Sequence, residues 1–207
     1  MSTSEGGTPG RGGVTDWAVG LERRLALVTP ADTTRGMFFN GVLALVRQQG
    51  SAEGVKRCLA ACDNQRFLDF FNYPTEQFMR LVWAAGRVLE PGLGGFEPAL
   101  RVLGRQAAVD FLGSAAGKAL MLLGQGDVRR LMENLPSAYR VSVSYGQRSV
   151  EWTGEASGRL LMERDFMPFA YHEGVLAGVL EAQGVTGVKV VGHQEGLTSS
   201  EYDFSWE

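Results

Sequence analysis

The side chains best suited to chemistry in this sequence are its two histidines, His172 and His193. His172 follows Tyr171 near the start of a predicted helix, one turn before Leu176, so its ring can face the interior. A zinc or haem site needs several convergent ligands, and neither histidine has a second ligand at metal-binding spacing. We therefore predict a structural histidine at the edge of the core, no metal site and no cofactor.

Two other pairs have spacings that invite a chemical interpretation. Cys58 and Cys62 lie four positions apart, which places both thiols on one helix face and predicts buried, unpaired cysteines rather than a zinc knuckle. Glu163 and Asp165 lie two apart on a predicted strand, where charged side chains usually meet water. The sequence has no Gly-x-Ser-x-Gly elbow. We predict no catalytic residue and a protein that is not an enzyme.

Composition and charge narrow the classes of partner. Hydrophobic residues make up 44% of the chain and the formal net charge is −3. The first value indicates a substantial core, and the second disfavours nucleic acid as a partner, because phosphate backbones need a basic face. No apolar run is long enough to span a bilayer and the N-terminus does not resemble a signal peptide. We expect a cytoplasmic protein.

The predicted secondary structure that positions these residues changes from helices to mainly strands near Arg140. Residues 1–14 are rich in small polar residues and predict a flexible tail, and 15–207 predict a single α+β domain. Helical spacing dominates the first part, apart from a predicted short strand, and a short helix from Asp127 is expected to end at Leu135-Pro136. Apolar residues then alternate, which predicts a three-strand antiparallel meander, a helix and two strands. The predicted segments are the strands 25–28, 141–145, 150–152, 158–162, 188–191 and 202–206 and the helix 169–183.

The expected fold is therefore α+β, with N-terminal helices packed on one face of an antiparallel sheet. Six short motifs follow one another along the chain: GMFFNGVL at 36–43, Tyr73-Pro74, LGR at 103–105, Leu135-Pro136, YHEGVL at 171–176 and YDFSW at 202–206. In this order the motifs resemble a paralogous family of uncharacterised proteins found in myxobacteria. This resemblance implies no established biochemical activity.

The closing segment also resembles a wider superfamily. GVLAGVL at 174–180 followed by VKV at 188–190 is similar to the ending of 4-vinyl reductase domains, which are grouped with haem-NO-binding domains and transport-particle subunits. The resemblance implies helices packed on an antiparallel sheet with a ligand pocket between them. The loop 192–200 lacks the cysteine found at that point in 4-vinyl reductases, and the residues around His172 do not match the haem motif.

Three hypotheses follow for function. The first is a non-enzymatic sensory or regulatory module that binds a small apolar ligand, with Tyr145, Tyr171, His172 and Val175 nearest to it. The alternative is a protein–protein interaction module that acts as a homodimer or adaptor without a ligand. An enzyme that uses His172 is the third, and it requires a second polar group within hydrogen-bond reach of that ring.

Overall fold

The computed structural model describes residues 14–63, 66–124 and 126–207. The helices in these ranges are α1 (Val14–Leu25), α2 (Gly36–Gln49), α3 (Ala52–Leu59), α4 (Thr75–Leu93), α5 (Phe96–Gly113), α6 (Ala115–Leu123), α7 (Val128–Ser142) and α8 (Phe169–Glu181). The strands are β1 (Thr33–Arg35), β2 (Asn72–Pro74), β3 (Gln147–Gly154), β4 (Ser157–Glu163), β5 (Lys189–Gln194) and β6 (Ser200–Ser205). Residues 1–13 of the predicted tail lie outside the described residues.

Four strands form an antiparallel sheet in the order β3-β4-β6-β5. Alternate side chains point to opposite faces, and the side chains of the inner face are buried under the helices. Leu160 and Met162 of β4 and Tyr202 and Phe204 of β6 are almost fully enclosed there. The outer face carries charged neighbours such as Arg159 and Asp203. One sheet face therefore forms the floor of the core.

Helix α8 crosses between the sheet and α5, and glycines set its distance from α5. A Cβ at Gly104 of α5 would overlap the carbonyl oxygen of Tyr171, and a Cβ at Gly174 of α8 would overlap that of Arg101. The two backbones can approach this closely only because neither glycine has a side chain. This contact fixes the first turns of α8, which carry Tyr171 and His172.

A second, two-stranded sheet joins the starts of α2 and α4. Strands β1 and β2 pair antiparallel with Thr34 opposite Tyr73, and the buried hydroxyls of Thr34 and Thr75 are 2.9 Å apart. Thr34 also forms a single antiparallel bridge with Val143, just beyond α7. Through this bridge, the helical layer is joined to the segment that leads into β3.

The α+β class predicted from the sequence is confirmed, and so are α8 and the two closing strands. The predicted meander has two strands rather than three, because residues 141 and 142 continue α7 and Val143 makes only an isolated bridge. The predicted strand over 25–28 is also wrong. Leu25 ends α1, and the next residues form helical turns through bonds such as Ala26 N to Glu22 O at 3.1 Å.

The length of α7 differs from the prediction that Leu135-Pro136 ends a helix. Asp127 caps α7 as expected, accepting from the Arg130 amide at 3.1 Å, but the helix continues through Pro136 to Ser142. Proline removes one backbone hydrogen bond, and this cost is offset by the burial of Leu135, Ala138 and Tyr139 on one stripe. The extra turns place Tyr139 inside the core.

The aromatic residues before β2 divide between core and surface. Phe67 is buried and stacks on Phe39 with ring centroids 4.3 Å apart. Phe70 and Phe71 are exposed, at 71% and 52%. None of the helices in the described ranges combines the length and apolar character that a membrane span requires.

Candidate functional site

The site is organised around Asp165, in the loop between β4 and α8. Its side chain is 2% exposed. Oδ1 accepts from the Met167 amide at 2.9 Å and lies 2.8 Å from Nε2 of His172, and Oδ2 pairs with Nη2 of Arg148. The preceding residue, Arg164, has φ +51° and pairs with Asp32 instead. The chain thus turns the charge of Asp165 inward and that of Arg164 outward.

His172 connects this carboxylate to α7. Its ring is 4% exposed, and Nδ1 lies 3.0 Å from the hydroxyl of Tyr139. A carboxylate only accepts hydrogen bonds, so the network assigns the proton to Nε2, which donates to Asp165. The Tyr139 hydroxyl donates to Nδ1 when the ring is neutral and accepts from Nδ1 when the ring is protonated. Both ring nitrogens are engaged by side chains from other elements.

Arg148 of β3 completes the network from the other side. Its side chain is 3% exposed, and the guanidinium lies over the rings of Tyr139 and Tyr145, at 4.8 and 5.5 Å from their centroids. Nη1 donates to the carbonyl oxygen of Tyr145. Nε is buried and makes no hydrogen bond with the described residues. The cation is thus held between two aromatic faces and one carboxylate.

The electrostatics of the network follow from burial and pairing. Burial alone raises the pKa of Asp165, but the charges of His172 and Arg148 and their hydrogen bonds outweigh it, so the pKa is well below its usual value. Burial lowers the pKa of Arg148, but the charge and hydrogen bond of Asp165 together with the nearby Tyr145 and Tyr139 outweigh that effect, so the pKa of the guanidinium is raised. Burial raises the pKa values of Tyr139 and Tyr145. The carboxylate of Asp165 and the guanidinium of Arg148 are therefore both charged, and the phenols of Tyr139 and Tyr145 are neutral.

A cavity of about 60 Å³ adjoins the network. Its polar wall comes from the network and from neighbouring hydroxyl groups, and its other walls are apolar and aromatic. The apolar and aromatic lining comes from α2, α4, α5, α7 and α8 and nearby loops: Phe38, Phe78, Ala107, Ala108, Phe111, Leu135, Ala138, Val143, Met167, Val175 and Val179. The cavity therefore lies between the helices, next to the buried ion pair.

The four residues that the sequence predicts nearest to a ligand, Tyr145, Tyr171, His172 and Val175, all line this cavity. Tyr171 packs edge-on against Phe78, with ring centroids 6.3 Å apart. Their role in binding a ligand stays a prediction. His193, by contrast, lies on the exposed face of the sheet, 3.4 Å from Asp203.

Three residues of the network were not predicted from the sequence: Tyr139, Arg148 and Asp165. Asp165 was expected to share an exposed strand face with Glu163, but β4 ends at Glu163 and only Glu163 is exposed. His172 therefore has two convergent polar partners, Asp165 and Tyr139, that its sequence neighbours did not reveal. The acidic neighbour seven positions away was visible in the sequence, but its burial was not.

The ionisable groups of the site are bonded mainly to one another, apart from Nε of Arg148. Within the described ranges, no group of three or more His, Cys, Asp or Glu side chains could hold a metal ion. Cys58 and Cys62 are both buried as expected, although α3 ends before Cys62. Burial raises the pKa of each thiol to about 11, which keeps both as packed, unreactive groups.

Comparison with known proteins gives a family and a fold. Residues 27–207 match the family model described as "Protein of unknown function (DUF2378)". The chain belongs to the DUF2378 family. No curated protein matches it.

Among solved structures, the DUF2378 chain resembles H-NOX proteins. With an H-NOX protein from S. oneidensis in the Fe(II)NO ligation state, it shares 9% identity and a TM-score of 0.62, over 84% of this chain and 99% of that chain. The unliganded Fe(II) H-NOX protein from K. algicida gives 11% identity and a TM-score of 0.60, over 84% and 96%. The IWP-051-bound H-NOX from Shewanella woodyi in the Fe(II)CO state gives 18% and 0.53, over 82% and 93%. At these identities the likeness concerns the fold.

A haem group of the kind that these neighbours imply does not fit the site as this chain builds it. The cavity of about 60 Å³ is far below the roughly 300–1,000 Å³ of pockets that hold drug-sized ligands. His172, the histidine at the cavity wall, has its two nitrogens bonded to Asp165 and Tyr139. An axial ligand needs one of these nitrogens, and the buried carboxylate would then lose a partner.

Proposed function

We propose that this protein is a non-enzymatic sensory or regulatory module that binds a small apolar molecule in the cavity between its helices. The observation that carries the proposal is the cavity of about 60 Å³, lined mainly by apolar and aromatic side chains beside one buried polar wall. Binding sites for small molecules have this composition, in which apolar walls supply affinity and a few polar groups fix orientation. The H-NOX-like fold supports the proposal as an analogy of architecture.

The cavity limits the size of the ligand. Because one water-sized probe fills roughly 10–15 Å³ of such a volume, a cavity of about 60 Å³ accepts about four to six non-hydrogen atoms. Ala107, Ala108 and Ala138 are the small residues of its wall. Small gases, short alkenes and small ring compounds therefore match it without movement of the helices.

The polar network supports binding rather than catalysis. His172 does have a second polar group within hydrogen-bond reach, Asp165 at 2.8 Å, which an enzyme would require. However, the other ring nitrogen is occupied by Tyr139, and burial raises the pKa of that phenol, which disfavours a nucleophilic phenolate. The groups that could act on a substrate are engaged with one another, and we assign them to holding the cavity wall.

Helix α8 connects the cavity to the edge strand of the sheet. Tyr171, His172 and Val175 face the cavity, while Glu173 between them accepts from the Gly192 amide of β5 at 2.8 Å and from Arg101 Nε at 2.6 Å. A ligand that favours one position of α8 would also change this contact with the edge strand. We propose this contact as the output of the module.

A size series tests the proposed function. Cyclopropane, isobutene and naphthalene are added to the protein, and ¹³C chemical shifts of the Val175 and Val179 methyl groups are followed with the melting temperature. We expect the two small probes to shift both methyl signals and raise the melting temperature, and naphthalene to do neither. Absence of any response to the two small probes overturns the proposal.

A second candidate function, protein–protein interaction, is favoured by an exposed apolar patch formed by Leu68, Phe70, Phe71 and Val141. These side chains are 54%, 71%, 52% and 47% exposed. Arg35 joins the patch, because it donates to the carbonyl oxygens of Phe70 and Val141. Apolar patches of this kind often mark interaction sites, and the partner proposed here is a second copy of the chain.

Light scattering coupled to size-exclusion chromatography tests this second candidate. If the patch forms a homodimer, the double variant Phe70→Ser/Phe71→Ser is monomeric at a concentration where the unmodified protein is dimeric. The double variant Leu122→Ser/Leu123→Ser, on the exposed side of α6, is the matched control and retains the dimer. A monomer at every concentration of the unmodified protein excludes a homodimer.

A further inference from the structure

Arg148, in the wall of the cavity, has one donor group without an acceptor among the described residues. Nε of Arg148 is buried and has no hydrogen-bond partner among the described residues, whereas Nη1 and Nη2 are bonded to Tyr145 O and Asp165 Oδ2. The side chain is 3% exposed and lines the cavity. A buried N–H without an acceptor costs free energy, especially on a charged group.

The surrounding groups cannot easily supply that acceptor. Asp165 Oδ1 is already bonded to His172 and the Met167 amide. The guanidinium carbon lies over the rings of Tyr139 and Tyr145. Those two hydroxyls and that of Tyr171 remain protonated, because burial raises their pKa values, so each can donate to a ligand, and none of them accepts from Nε. The polar wall is thus rich in donors, and the remaining walls are apolar.

We propose that the cavity selects small molecules with an apolar body and a single hydrogen-bond acceptor, such as a ketone or an aldehyde, and that Arg148 Nε donates to that acceptor. This inference rests on the proposed function and names the class of ligand. A site that carries an unpaired donor discriminates strongly, because an isosteric ligand without the acceptor leaves the donor unsatisfied. The apolar walls at Ala138, Val175 and Val179 enclose the rest of the molecule.

The test compares acetone with isobutene, which have nearly the same shape and differ in the acceptor oxygen. Binding is followed by the ¹³C methyl signals of Val179 and by the ¹⁵N–¹H signal of Arg148 Nε, assigned from its loss in Arg148→Lys. We expect acetone to shift the Nε signal downfield and isobutene to leave it nearly unchanged. We also expect Arg148→Lys to weaken acetone binding about tenfold and isobutene binding less than twofold.

Arg129→Lys is the matched control, since Arg129 also lies over an aromatic ring, that of Trp152 at 4.0 Å, but does not line the cavity. The Arg129→Lys variant should bind acetone and isobutene with unchanged affinity. If both probes bind and the Nε signal responds to neither, the inference fails while the proposed function stands. If neither probe shifts the Val179 methyl groups, both fail. Should Arg148→Lys not fold, the Nε signal of the unmodified protein, assigned through its couplings to the side-chain carbons of Arg148, decides the question.

Discussion

Nε2 of His172 lies 2.8 Å from Oδ1 of Asp165, and both side chains are at most 4% exposed. The carboxylate also pairs with Arg148, so a histidine, an acid and a cation form one network in the core. Burying charges is costly, and removal of one partner leaves the others uncompensated. The network is therefore the part of the core most sensitive to a conservative change.

The first prediction concerns this ion pair. Asp165→Asn leaves Arg148 buried without its counter-charge, and we expect a loss of about 3–5 kcal/mol in the free energy of unfolding at pH 7, measured by urea denaturation. Asp203→Asn is the control, since Asp203 pairs with Arg159 near the surface at 43% side-chain exposure, and should cost less than about 1 kcal/mol. Equal losses in the two variants would contradict the network's structural role.

The same network predicts that the fold loses stability at low pH. Because the pKa of Asp165 is lowered in the folded state, its contribution to stability is fully present above the unfolded pKa of about 4. That contribution is lost as the pH falls below this value toward the folded pKa. The unmodified protein should therefore lose more stability between pH 5 and pH 3 than Asp165→Asn does. Parallel urea-midpoint curves for the two proteins over this range would count against the assignment.

Asp110 behaves in the opposite way. Its Oδ2 is buried without a hydrogen-bond partner among the described residues and lies against Gly41, and burial raises its pKa to about 6. A carboxyl group whose pKa is raised in the folded state destabilises the fold as the pH rises from about 4 to 6, because the unfolded chain releases the proton first. Asp110→Asn should therefore stabilise the protein by about 1–2 kcal/mol at pH 7.5.

This difference should shrink to about 0.4 kcal/mol near pH 4, where Asp110 is protonated in the folded state and about half protonated in the unfolded chain. Thermal unfolding of both proteins at pH 4.0 and 7.5 measures it. Glu155→Gln removes an exposed carboxylate and serves as the control, with less than about 0.5 kcal/mol of change at either pH. A destabilised Asp110→Asn at pH 7.5 would show that the carboxylate has a charged partner in solution.

The contact between α5 and α8 gives a steric prediction. Gly174→Ala places a methyl group on the carbonyl oxygen of Arg101 and should destabilise the protein by about 3 kcal/mol or more, because neither backbone can move without displacing the core. In α5, Gly113→Ala meets no atom within 4 Å and should be neutral or stabilising by up to about 1 kcal/mol. Similar unfolding midpoints for the two variants would refute the close approach.

Local patterns were sufficient to predict part of the fold. The stripe of Leu176 and Val179 gave α8, and alternation gave β4, β5 and β6, since in each case the period matches the burial. Alternation misled over residues 141–145, where Val141 is exposed and Ser142 is buried at the end of α7. There the helix is stabilised by tertiary contacts of Tyr139 that no local period records.

The candidate site, like the fold, was only partly predictable from the sequence. Tyr171, His172 and Val175 share two turns of one helix, so one amphipathic pattern finds all three. Arg148, Asp165 and Tyr139 come from β3, a loop and α7, and only the folded chain brings them together. Charge in a sequence usually indicates exposure, and these charges are buried because they satisfy each other.

The most direct test of the central claim is xenon binding to the cavity. Xenon is apolar and small enough for a cavity of about 60 Å³, and ¹³C methyl spectra under xenon pressure report its position. We predict saturable shifts at Val175, Val179 and Leu135 in the unmodified protein and in Ala84→Leu, outside the cavity. Their loss is predicted in Ala138→Leu, which fills it. Absence of saturable shifts at these methyl groups in the folded, unmodified protein would contradict a ligand-binding cavity.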